Sequence, residues 1–128
     1  MAKRRNVIAI VDDNPALRKA LQRLLQVLGY RTEMFASAEE FLSAATTSKA
    51  SCLLVDIQLG SGSGLELVRQ LFAAGFRFPV IFMSGSDSAM VRRQATDLGG
   101  RAYLIKPFPV AQLIDEIEKA IGSDTRLG

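Results

Sequence analysis

Residues 7–15 read Val7-Ile8-Ala9-Ile10-Val11-Asp12-Asp13-Asn14-Pro15: five apolar residues without helical spacing, two carboxylates, then a helix start. A run this short, made of β-branched and small apolar residues, reads as a strand covered on both faces. Asn14 suits the cap of the following helix and Pro15 its first turn. Leu17, Leu21, Leu24, Leu25 and Leu28 then fall on one helical face, and Gly29 can end it. The acidic pair therefore stands where a buried strand hands over to a helix.

The same alternation recurs along the chain. Cys52 to Val55 and Val80 to Met83 are again nearly continuous apolar runs, whereas Thr32 to Phe35 and Ala102 to Ile105 are weaker and suit the edges of a sheet. Ser37 followed by Glu40, and Ser63 followed by Glu66, mark the starts of a second and a third helix. A fourth, about Ser88 to Leu98, has only Met90, Val91, Ala95 and Leu98 to hold it, so loose attachment is expected. The last spans about Val110 to Ile121, with Val110, Leu113, Ile114, Ile117 and Ile121 apolar and Gly122 beyond its end. Strands alternating with helices imply an α/β protein with a parallel sheet and right-handed crossovers.

With 128 residues, 48% hydrophobic and 23% charged, the chain suits one domain over 1–128 with a core of about 6–121. Neither repeats nor a second composition regime occur, the tail Ser123 to Gly128 is short and polar, and no output domain is expected in this chain. The opening Met-Ala-Lys-Arg-Arg and the apolar run after it stop at Asp12, too early for a signal peptide. No apolar run approaches the roughly 18 residues of a membrane span, so a soluble, cytoplasmic protein is expected. The single Cys52 excludes an internal disulfide and reads as a small buried hydrophobe. Net charge +3 raises nucleic-acid binding, but apart from Lys3-Arg4-Arg5 and Arg92-Arg93 the basic residues are scattered, which favours solvated surface. The chain has no histidine. Histidine metal sites and Ser-His or Cys-His nucleophiles are thereby excluded, and any phosphohistidine must come from a partner.

Ligands of open α/β sheets bind beyond the carboxyl ends of the strands. Asp12 and Asp13 follow the first strand, Asp56 ends the third, Ser84 ends the fourth and Lys106 follows the fifth, so all five converge on one rim. Singly, each has an ordinary explanation: turn chemistry for the acidic pair, a backbone partner for the Ser84 hydroxyl, a solvated charge for Lys106. Together, three carboxylates repel one another unless a cation lies among them. All-oxygen donors without His or Cys favour magnesium or calcium, and two or three carboxylates with room for water favour magnesium. Such an ion beside a carboxylate, a lysine and a hydroxyl is what phosphoryl transfer requires, with the carboxylate as nucleophile.

The set Val11-Asp12-Asp13, Val55-Asp56, Met83-Ser84-Gly85 and Lys106-Pro107-Phe108 resembles, in order and spacing, the response-regulator receiver family of two-component signalling. The resemblance covers about Asn6 to Ile121. It implies a flavodoxin-like, doubly wound, five-stranded parallel sheet of order 2-1-3-4-5 with five helices. It further implies that Asp13, Asp56 and the Gln58 backbone carbonyl bind magnesium, with Asp12 assisting through water. Asp56 would accept a phosphoryl group from a sensor histidine kinase or histidine phosphotransfer protein. Lys106 would pair with one phosphoryl oxygen, while the Ser84 hydroxyl and backbone N–H groups near Ile57 and Gly85 receive the others. Tyr103 matches the aromatic that turns inward as Ser84 moves, and Lys106-Pro107 matches a cis peptide. The protein would catalyse its own phosphorylation and dephosphorylation rather than act as a conventional enzyme. Its fourth helix, fifth strand and fifth helix would switch, to be read by a downstream protein or output domain or through a phosphorylation-dependent dimer. Residues Phe35-Ala36-Ser37-Ala38-Glu39-Glu40-Phe41-Leu42 look most like receivers of the nitrogen-fixation-regulator type.

Some positions depart from the family pattern. The loop Ile57-Gln58-Leu59-Gly60-Ser61-Gly62-Ser63-Gly64 has three glycines where a proline is common, and is expected to be mobile without metal. Ser84 replaces a commoner threonine, and Gln58 and Ser86 stand where phosphate lifetime is tuned. A phosphohydrolase would want a second acid at Gln58, and a nucleotide-binding module would be repelled by Asp12-Asp13. The alternative is a degenerate receiver acting only as a protein-binding scaffold.

Overall fold

The structure, a computed structural model, describes residues 6–125; the Lys3-Arg4-Arg5 cluster and residues 126–128 lie outside them. The elements run β1 (Val7–Val11), α1 (Pro15–Val27), β2 (Arg31–Phe35), α2 (Ala38–Ala44), β3 (Cys52–Asp56), α3 (Gly64–Ala73), β4 (Val80–Ser84), α4 (Ala89–Asp97), β5 (Ala102–Ile105) and α5 (Val110–Thr125). All five strands pair parallel in the order β2-β1-β3-β4-β5. This is the expected doubly wound sheet, with the two weakly apolar strands at its edges.

Alternation along the strands divides the interior in two. Ile8, Ile10, Leu54, Ile81, Met83 and Leu104 join Leu21 and Leu25 of α1 and Leu113 and Ile117 of α5. The intervening Ala9, Val11, Leu53, Val55, Val80 and Phe82 join Phe41 of α2, Leu67, Val68 and Leu71 of α3 and Ala95 of α4. Cys52 lies in the first cluster as a buried thiol, as expected. Burial raises its pKa to about 12, so it remains a thiol.

The helix starts follow their caps. Asn14 Oδ1 accepts from the N–H groups of Ala16 and Leu17, Ser37 Oγ from Glu40, and Ser63 Oγ from Leu65 and Glu66. Gly29, with φ +97°, turns the chain out of α1. At the second cap Glu40 Oε1 reaches back past Ser37 to accept from the Ala36 N–H at 2.8 Å. The Glu66 carboxylate instead pairs with Arg69 at 3.2 Å.

Three expectations are corrected. Met90 is 70% exposed, because α4 faces the sheet through Val91, Ala95 and Leu98, and Met90 stands a third of a turn off that stripe. Val110 is 50% exposed, on the rim of a groove between α1 and α5. Gly122 lies within α5, which continues to Thr125; a glycine weakens a helix without forbidding it. The glycine-rich segment after Asp56 forms a minimal antiparallel hairpin, Gln58–Leu59 against Gly62–Ser63, turning at Gly60 with φ +62°. Among the described residues no helix is long and apolar enough to cross a membrane.

Gly64 opens α3 directly beneath Asp56. A Cβ there would overlap the Asp56 carbonyl oxygen and approach Val55 Cγ1 to 2.7 Å. Overpacking of this kind costs about 1–3 kcal/mol. Gly64→Ala should lower the urea midpoint accordingly, whereas Gly62→Ala, whose added methyl meets only the Leu59 carbonyl oxygen at 3.5 Å, should leave it near wild type.

Candidate functional site

Strand parity decides which rim residues meet. Asp12 and Asp56 lie two residues beyond Ile10 and Leu54, and Lys106 two beyond Leu104, so all three continue the face that packs on α1 and α5. Ser84, two beyond Phe82, continues the opposite face, to which Tyr103 also belongs. Register supplies the level: Val11 stands beside Val55, Asp56 beside Met83, and Ser84 beside Ile105.

On the first face Lys106 Nζ donates to Asp12 Oδ2 at 2.8 Å and to Asp56 Oδ2 at 2.7 Å. Asp12 is fully enclosed, and Asp56 is 7% exposed. Burial raises the Asp56 pKa above its ordinary value, against the opposing hydrogen bonds from Lys106 and the Gln58 N–H and the attraction of the Lys106 charge; Asp12 adds a smaller rise. Burial pulls the Lys106 pKa down, but its bonds to Asp12 and Asp56 and the attraction of both carboxylates more than offset this and raise it. The Lys106-Pro107 peptide is cis, as expected.

Asp12, Asp56 and Ser84 each fold back in the same way. Asp12 Oδ1 accepts from the Asn14 N–H at 2.9 Å, Asp56 Oδ1 from the Gln58 N–H at 2.9 Å, and Ser84 Oγ from the Ser86 N–H at 3.2 Å. These turns onto the N–H two residues on fix three side chains at the ends of three strands. The Asp12 carbonyl is held in addition by Arg18 Nη1 at 2.7 Å.

Asp13 is exposed at the mouth. Carboxylate oxygens of Asp12, Asp13 and Asp56 all lie within 4.8 Å of one another. Asp13 and Asp56 border an open cleft of about 390 Å³, lined also by Asn14, Gln58, Gly60, Gly85 and Lys106, with Asp12 enclosed behind it. The hairpin turn at Gly60, whose φ of +62° favours glycine, passes beside the Asp13 carboxylate. An all-oxygen donor set with an open mouth and little protein crowding fits a hard, hydrated divalent cation such as magnesium.

On the opposite face the Ser84 hydroxyl is engaged away from Asp56, donating to the Ser86 carbonyl at 2.9 Å. The Tyr103 hydroxyl donates to the same oxygen at 3.2 Å. The Ile57 N–H donates to the Met83 carbonyl at 2.8 Å, so the amide that reaches Asp56 is that of Gln58. The i, i+2 relation to Asp56 is the sequence signal for that amide. Ser86 as a shared acceptor and Arg18 as a brace have no comparable signal.

Comparison with known proteins agrees with this fold. A family model described as the response regulator receiver domain matches residues 8–118. Response regulator protein TodT of Pseudomonas putida is 35% identical over 94% of this chain and 53% of its own length. The transcriptional regulatory protein FixJ of Azorhizobium caulinodans is 31% identical over 94% of this chain and 57% of its own. The chain thus spans about half the length of these curated relatives. A crystal structure of a CheY-like response regulator receiver domain protein from Methanospirillum hungatei superimposes with a TM-score of 0.88 at 26% identity, covering 96% of this chain and 98% of that one. The chain belongs to the response regulator receiver domain family of two-component systems.

Proposed function

We propose that Asp56 accepts a phosphoryl group from a phosphohistidine of a sensor histidine kinase or histidine phosphotransfer protein. The observation that carries this reading is Lys106 Nζ bridging Asp12 and Asp56 at the edge of an open acidic cleft. An Asp56 carboxylate oxygen attacks phosphorus, the bond from phosphorus to the donor imidazole nitrogen breaks, and that nitrogen leaves with its electron pair. Hydrolysis of the resulting acyl phosphate by water restores the carboxylate and releases inorganic phosphate. The Asp13 and Asp56 carboxylates and the Gln58 carbonyl would hold magnesium, with Asp12 helping through water. Bound there, the ion would offset charge on the transferring phosphoryl oxygens.

Lys106 stands ready for the product: its ammonium already touches Asp56 Oδ2 and need move little to meet a phosphoryl oxygen. Of the remaining donors, Gly85 lines the cleft, the Gln58 N–H reaches Asp56, and the Ile57 N–H would have to leave Met83 to take part. Ser84 would turn from the Ser86 carbonyl toward the phosphoryl group, freeing Tyr103 to move and altering the surface of α4, β5 and α5. A downstream protein, an output domain or a second receiver would read that surface. We place this exchange in the cytoplasm, with residues 1–128 acting as a single receiver unit.

The donor needs a docking surface beside the cleft. An apolar groove of about 590 Å³ runs between α1 and α5, lined by Leu17, Ala20, Leu24, Phe108 and Val110 among others, and Lys106 borders both groove and cleft. A partner helix laid there would bring its phosphohistidine to Asp56.

Incubation with magnesium and a small phosphodonor, followed by intact mass, should add one phosphate to the wild type and none to Asp56→Asn; an unlabelled wild type would refute the acceptor assignment. Ala20→Glu, at an exposed groove position, should slow transfer from a phosphohistidine donor at least tenfold and leave labelling by the small phosphodonor unchanged. Because the folded Asp56 pKa is raised, the folded state binds that proton more tightly than the unfolded one. In metal-free buffer, Asp56→Asn should therefore be more stable than wild type above the folded Asp56 pKa. That advantage should fade as pH falls through it toward the ordinary carboxylate value of about 3.9, as read by urea denaturation.

A further inference from the structure

One side chain outside the acceptor chemistry reaches the Tyr103 ring. Arg92, in the first turns of α4, places its guanidinium carbon 4.8 Å from the ring centroid. Its Nη2 donates to Asp87 Oδ1 at 2.7 Å. Asp87 belongs to the loop between β4 and α4, directly after Ser86, whose carbonyl receives both Ser84 Oγ and the Tyr103 hydroxyl. Arg92 therefore touches three pieces at once: β5 through the ring, the loop through the Asp87 carboxylate, and α4 through its own backbone, whose N–H donates to the Ser88 carbonyl. Ala95 is the only residue of α4 that is fully buried, and Arg92 adds a contact to β5 beside the partly buried Val91 and Leu98.

We propose that Arg92 is a positioning residue that clamps Tyr103 and α4 in the resting arrangement, and so opposes phosphorylation of Asp56. The inference rests on the acceptor reading above. In the resting arrangement the Ser84 hydroxyl is bonded to the Ser86 carbonyl. Drawing it toward a phosphoryl oxygen breaks that bond on the atom that also holds Tyr103, so loop and ring readjust together. The stacked and ion-paired position of Arg92 over the ring belongs to the arrangement that is left. A contact made in one arrangement and lost in the other reduces affinity for any ligand that selects the second.

The sign separates this role from a general charge effect. Arg92 is a cation, and acting only through its field it would favour an anion at Asp56, so its removal would weaken binding. Release of a clamp predicts the reverse. A cation over an aromatic ring at an exposed site corresponds to about a two- to fivefold change in an equilibrium constant.

The test is the apparent affinity for beryllofluoride at saturating magnesium, followed by amide NMR, in wild type, Arg92→Gln, Tyr103→Leu and the double variant. Arg92→Gln should tighten binding about two- to fivefold in the presence of Tyr103 and leave it unchanged in the Tyr103→Leu background. Unchanged or weaker binding in Arg92→Gln, or equal tightening in both backgrounds, would overturn the clamp while leaving the acceptor site standing. A wild type that binds no beryllofluoride would remove the acceptor reading and the clamp with it.

Discussion

The Asp12 carboxylate has no exposure to solvent, so its requirement for a partner must be met inside the protein, and Lys106 meets it at 2.8 Å. That contact constrains the rest of the rim. To reach Asp12 the ammonium group must leave the end of β5 toward the face packed on α1 and α5, and the Lys106 N–H bond to the Ser84 carbonyl at 2.7 Å holds the chain at the level where this happens. Once there, the same nitrogen lies 2.7 Å from Asp56. The enclosed carboxylate thus anchors the lysine, and the lysine presents a cation to the accessible one. Three groups from three strands are held by charge, and neighbouring N–H groups two residues on fix the orientation of both acids.

Parallel register turns this local arrangement into a property of the sheet. Val11 stands beside Val55, and Asp56 is level with Met83 and Leu104, so Ser84 lies one residue and Lys106 two residues further along, and the alternation of side chains sorts these rim residues between two faces. Acids and lysine fall on one face, and Ser84 and Tyr103 on the other. Gly64 adds the third dimension: without a side chain, the start of α3 lies against the Asp56 carbonyl, and the hairpin between them brings Gly60 toward Asp13. The acceptor end of β3 is therefore bounded by backbone on the side away from Lys106.

The strands, their order of burial and the membership of the rim were legible because each depends on local pattern: continuous apolar runs for β1, β3 and β4, weaker ones for β2 and β5, and polar residues at their carboxyl ends. Caps at Asn14, Ser37 and Ser63 were legible for the same reason. What was not legible depends on tertiary placement. Met90 and Val110 are apolar and correctly spaced, yet which side of a helix meets the sheet is decided by crossover geometry, and both face outward. Two-residue strands at Gln58–Leu59 and Gly62–Ser63 are too short to leave a periodicity. The partner of each polar group was equally hidden: that Ile57 donates to Met83, or that Arg92 of α4 covers Tyr103 of β5, depends on contacts between segments distant in sequence.

The sparse burial of α4 has a thermodynamic consequence. Resistance to local opening follows the apolar contact that an element buries, and elements that bury little open at free energies well below that of the whole domain. Three helices press several leucines or isoleucines into the interior: Leu21 and Leu25 from α1, Leu65, Leu67 and Leu71 from α3, and Leu113, Ile117 and Ile121 from α5. The fourth helix fully buries only Ala95, with Val91 and, at its end, Leu98 partly buried beside it. The domain is accordingly graded in cooperativity. A change of a few kcal/mol at the rim, far too small to disturb the two main cores, is on the scale needed to redistribute the populations of this one element.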